Sequence, residues 1–78
     1  MDNPNPTTDI INKRRQFIQR LENHEDVTKI DFTRDGFQTL FVEVRQGTGF
    51  HSAWQQRADE LGYRVEHQCA RLYRLDIE

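Results

Sequence analysis

Any chemistry this chain performs would come from a few short constellations. Gly47-Thr48-Gly49 runs directly into Phe50, His51 and Ser52. Glycines ahead of a helix let backbone N–H groups converge, and the positive end of the helix dipole favours an anion there. His51 and Ser52, in the first turn, would be the assisting side chains. The run lacks both the longer dinucleotide fingerprint and the Lys-Ser/Thr pair of a P-loop. A small, weakly held phosphate-like anion is therefore the most it predicts, and a flexible strand-to-helix turn is the simpler reading.

His67 and Cys69 sit two residues apart on a strand-like run. Regular alternation would put both on one face, but they offer two ligands where a structural zinc takes four. His24 and His51 are distant in sequence, and nothing in the spacing brings them together. No metal and no cofactor is expected. The His67–Cys69 pair implies no orienting acid for a nucleophile, and a half-buried cysteine is usually packing. No catalytic residue is nominated, and no enzymatic activity is expected.

Lys13, Arg14, Arg15 and Arg20 cluster on the first amphipathic segment, with Arg34 and Arg45 close by on the following hairpin. Such a cluster would follow a nucleic-acid backbone, with Phe37 or Phe41 as a stacking surface. Glu22, Glu25 and Asp26 follow at once and cancel much of the field within a Debye length. The net charge of −2 also argues against a domain that coats polyphosphate. Nucleic acid is the alternative partner, not the favoured one.

Arg14 and Arg57 are the odd charges, because each falls inside an apolar stripe: Ile10, Phe17 and Leu21 for the first, Phe50, Trp54 and Leu61 for the second. A long arginine can lay its methylenes on apolar surface and reach water at the edge. Otherwise each needs an acid such as Asp31, Glu43 or Glu66, since a buried unpaired guanidinium is too costly.

The favoured function rests on a sheet face. If Leu40, Val42 and Val44 point inward, Phe41 and Glu43 point outward, with Leu72 and Arg74 as their counterparts on the last strand. Open sheet faces with aromatic and aliphatic residues serve as docking surfaces. The expectation is a small non-catalytic protein-interaction module that self-associates through Phe41, Glu43, Leu72 and Arg74.

Elements must hold these residues in place. Residues 9–23 carry Ile10, Ile11, Phe17, Ile18 and Leu21 at helical spacing, with Thr7, Thr8 and Asp9 as candidate N-caps. Residues 28–34 and 37–45 alternate on either side of Asp35-Gly36, a strong hairpin signal. Residues 50–61 form the second helix, ended by Gly62. Tyr63 onward and residues 71–78 alternate again, as a tight hairpin in preference to one long bulged strand. The helices align at a constant offset, Ile10 with Phe50 and Leu21 with Leu61.

The fold expected is α+β: two α-β-β units (αββαββ, or αββαβ if the last strands are one), with an antiparallel-rich four-stranded sheet and both helices on one face. Residues 1–8 read as a disordered tail and residues 9–78 as a single compact domain. At 78 residues, with 35% hydrophobic and 31% charged, the core is thin and a homodimer is a natural support. The chain has no apolar run long enough to span a bilayer, and its lone Cys69 fits a reducing cytoplasm.

Overall fold

The computed structural model describes residues 6–78. The elements are α1 (Pro6–Glu22), β1 (Val27–Phe32), β2 (Thr39–Val44), α2 (Ser52–Glu60), β3 (Tyr63–Cys69) and β4 (Leu72–Ile77). This is the α+β order αββαββ, and the C-terminal segment is a hairpin. The sheet runs β1-β2-β4-β3 with every neighbouring pair antiparallel. Helix α1 starts at Pro6, ahead of the expected Asp9, so the last residues assigned to a tail are helical. Proline suits a helix start because its fixed φ is helical and no N–H is needed there. The remainder of the expected tail, residues 1–5, lies outside the described residues.

Strand β2 alternates strictly, with Leu40, Val42 and Val44 buried and Thr39, Phe41 and Glu43 half-buried. The buried set joins Phe17, Ile18 and Leu21 of α1, Trp54 and Ala58 of α2, Tyr63 and Leu75 in one core cluster. Both helices therefore share the core on the Leu40–Val42–Val44 side, leaving Phe41 and Glu43 on the other.

Two bulges adjust which side chains reach that core. A register shift between Val27 and Lys29 lets Val27 and Ile30 both pack inward. A second lies between His67 and Cys69. His67 pairs with Tyr73 and stacks on its ring at 4.5 Å, on the core side, while Cys69 pairs with Leu72 on the opposite face. The bulge thus separates the two residues that regular alternation would have placed together.

The reversal between β1 and β2 also departs from expectation. Instead of a two-residue Asp-Gly turn, residues 33–38 form a wider loop, and β2 begins at Thr39 and not at Phe37. The Thr33 N–H donates to the Thr39 carbonyl at 3.0 Å, and the Thr39 N–H donates to Thr33 Oγ1 at 3.2 Å. Phe37 adopts φ +60, which costs a non-glycine residue about 1–2 kcal/mol. It is held there by an edge-on contact with Phe32 (5.2 Å) and by the Tyr63 hydroxyl, which donates to its carbonyl.

Gly62 ends α2 at φ +85, with no atom within 4 Å of where a Cβ would stand. A Gly62→Ala change meets no clash, so its cost is backbone alone, about 1–2 kcal/mol. The melting midpoint should fall by roughly 4–16 °C, read by far-UV circular dichroism. An unchanged midpoint would mean that the left-handed cap is not required.

Candidate functional site

The four sheet-face residues nominated from sequence are neighbours. Phe41 pairs with Arg74, and Glu43 with Leu72, across the β2–β4 ladder. The Arg74 guanidinium lies 5.8 Å from the Phe41 ring centroid. Arg74 Nε is 2.7 Å from Asp76 Oδ2. That contact is an ion pair and not an aligned hydrogen bond, since Nε has no hydrogen-bond partner among the described residues. Lys29–Asp31 (3.6 Å) and Arg64–Glu66 (3.4 Å) continue the pattern, and Thr39 Oγ1 donates to Asp76 Oδ1 at 2.8 Å. Lys29, Asp31, Phe41, Glu43 and Leu72 line a shallow groove of about 370 Å³ on this face.

The basic cluster disperses. Lys13 pairs with Asp9 one turn back at 3.2 Å. Arg15, Arg20 and Arg34 are exposed, with Arg15 also 5.9 Å from the Phe37 ring centroid. Arg14 turns inward, its Nη1 donating to the Gly36 carbonyl at 2.9 Å and its guanidinium lying 5.9 Å from the Tyr63 ring. Its partners are therefore a loop carbonyl and an aromatic face, in place of the water at the edge of the first reading or the carboxylate of the alternative. Burial pushes the Tyr63 hydroxyl pKa up from 10.0 to about 12, while the Arg14 charge pulls the other way. Arg57 stays at the surface, 3.7 Å from Glu60 on the same helix.

The glycine loop forms a turn. Gly47 and Gly49 take φ +84 and +72, and the Thr48 N–H donates to the Arg45 carbonyl at 3.0 Å. Ser52 is exposed, and His51 is the N-cap of α2 but makes no side-chain capping bond. Its ring points elsewhere, to a carboxylate of the protein itself: His51 Nε2 is 3.0 Å from Asp26 Oδ2.

That contact belongs to a cluster the sequence reasoning missed. His24 Nδ1 lies 3.9 Å from the same Asp26 oxygen and accepts a hydrogen bond from the Asp26 backbone N–H at 3.1 Å. The His51 ring lies flat on Trp54 at 4.0 Å and 7°. The His24 ring stands edge-on to Trp54 and to His51, at 5.0 Å from each. All three polar residues are half-buried, whereas Trp54 belongs to the core. Comparison with protein-family models, curated proteins and solved structures finds no match to this chain. Function here rests on geometry alone.

The hairpin carried a partial signal for this cluster. Antiparallel β1 and β2 pair Val27 with Val44, so the residues before β1 and after β2 leave the sheet at one end. The Arg45 N–H donating to the Asp26 carbonyl at 2.8 Å ties those segments together. His24-Glu25-Asp26 also places an imidazole and a carboxylate within one turn. Among the described residues, no helix is long and apolar enough to cross a membrane.

Proposed function

We propose that this domain is a small non-catalytic interaction module that associates with a second copy of itself through the uncovered face of β2 and β4. The observation that carries this reading is the cross-strand arrangement of Phe41 with Arg74 and Glu43 with Leu72. Around those apolar residues the face carries Lys29, Arg64 and Arg74 interleaved with Asp31, Glu43, Glu66 and Asp76. A two-fold interface needs a patch complementary to itself. A face with both charge signs around an aromatic centre meets that requirement, whereas a single-signed face would repel its copy. Phe41 is the anchor, and Arg74, ion-paired with Asp76 on the same face, is its charged neighbour.

Sedimentation equilibrium over a wide concentration range tests the reading. The wild-type chain should dimerise reversibly. Phe41→Asp should weaken the dimer by about thirtyfold or more, the effect of losing a 2 kcal/mol anchor, while its circular dichroism stays native. A wild-type chain that remains monomeric at millimolar concentration would end this proposal. So would a Phe41→Asp variant that dimerises as the parent does.

A further inference from the structure

We propose that His24, Asp26 and His51 form a binding site for a divalent transition-metal ion, independent of the sheet face. One ligand atom from each residue lies within 4.8 Å of the others. His51 Nε2 and His24 Nδ1 are 3.0 and 3.9 Å from Asp26 Oδ2. Ligand bonds of 2.0–2.2 Å in a tetrahedral arrangement put ligand atoms about 3.3 Å apart. Side-chain adjustments on the order of an ångström therefore complete the site.

The donor set states which ions fit. Two imidazoles and one carboxylate suit zinc, cobalt, nickel or copper, whereas calcium and magnesium take oxygen ligands. Three protein ligands leave a tetrahedral position for water. The residues are half-exposed, so an ion can enter without opening the fold.

The ligands are also oriented before any ion arrives. Trp54, only 4% exposed, is a fixed platform for the His51 ring and an edge contact for His24. The Asp26 turn is pinned by the Val27 N–H donating to the His24 carbonyl at 3.1 Å and by the Arg45 bond to the Asp26 carbonyl. Rings locked by packing lose little rotamer freedom on binding. Coordination through His24 Nδ1 displaces a single bond, the one from the Asp26 N–H, and that group lies at a half-exposed corner where water can replace the imidazole.

Trp54 supplies the readout, because it is the chain's one tryptophan. Tag-free, chelator-treated protein is titrated with Ni(II) while tryptophan emission is followed, and Zn(II) is then added in competition. Saturable quenching at one ion per chain, reversed by zinc, is expected. His24→Gln and Asp26→Asn should each weaken binding at least about tenfold, since even loss of an outer-shell partner costs that much. His67→Gln should bind as the parent does, its ring being stacked on Tyr73.

Quenching that never saturates below millimolar nickel would overturn the site. Unchanged affinity in folded His24→Gln and Asp26→Asn, or loss of binding in His67→Gln, would do the same. If the variants fail to fold, imidazole proton shifts in the parent decide the matter. Zinc-induced shifts at His24 and His51 support the site, and their absence overturns it.

Discussion

Leu75→Ala should lower the melting midpoint by at least about 8 °C, since it costs about 2–5 kcal/mol in a small domain where each kcal/mol is worth roughly 4–8 °C. Leu75 is completely buried on β4, paired with Leu40 of β2 on one side and Val65 of β3 on the other. It thus occupies the middle of the helix-facing surface of the sheet. Truncation leaves a cavity that the surrounding strands cannot close without breaking their ladders. A domain of this size has roughly 4–12 kcal/mol in total, so this one change removes a large part of its stability margin.

Leu72 is the control. It lies on the same strand but on the opposite face, opposite Glu43. Leu72→Ala should cost about 1 kcal/mol or less. Thermal melts of both variants check the contrast. Equal shifts would mean that the two faces of β4 are not distinguished as core and uncovered surface.

Alkaline destabilisation should carry the signature of Tyr63. Burial raises its hydroxyl pKa from 10.0 to about 12, opposed by Arg14. Below pH 10 the hydroxyl is protonated in both folded and unfolded chains and adds no pH dependence. Between pH 10 and about 12 the unfolded chain loses the proton first, so stability falls as pH rises and levels off above the folded value. The full decline is roughly 3 kcal/mol. Its structural origin is the burial of the hydroxyl, which disfavours the charged phenolate and leaves the group donating to the Phe37 carbonyl.

Tyr63→Phe separates the contributions. It removes that hydrogen bond, at a cost of about 1–2 kcal/mol near neutral pH, and removes the Tyr63 part of the alkaline slope. Urea unfolding below pH 10 and near pH 12 on both proteins gives the comparison, in which other titrating groups cancel. A variant that loses stability across that interval as steeply as the parent would show that Tyr63 is not the group responsible. The same bond anchors the loop at residues 33–38, which Arg14 holds from its other side through the Gly36 carbonyl.

Periodicity made much of this protein legible. Ile18 and Leu21 at helical spacing, and Leu40, Val42 and Val44 at every second position, identify their buried faces because side-chain direction follows the local period. The same rule turns Phe41 and Glu43 outward before any partner strand is known. Gly62 marks the end of α2 by its own backbone freedom. The αββαββ order follows from these local patterns.

Register and long-range contact are different, because they depend on energies shared between distant segments. The order β1-β2-β4-β3 makes Arg74 the neighbour of Phe41. Bulges near Thr28 and Gln68 shift the faces by one residue, and such shifts leave little trace in a short alternating run. Arg14 finds a carbonyl and an aromatic ring, partners that no charge pattern announces. His24, Asp26 and His51 meet because the β1–β2 register returns the chain to its starting end and Trp54 packs both rings. Local periodicity dictates the elements and their inward faces; which outward or terminal side chains become neighbours depends on register and packing across the whole domain.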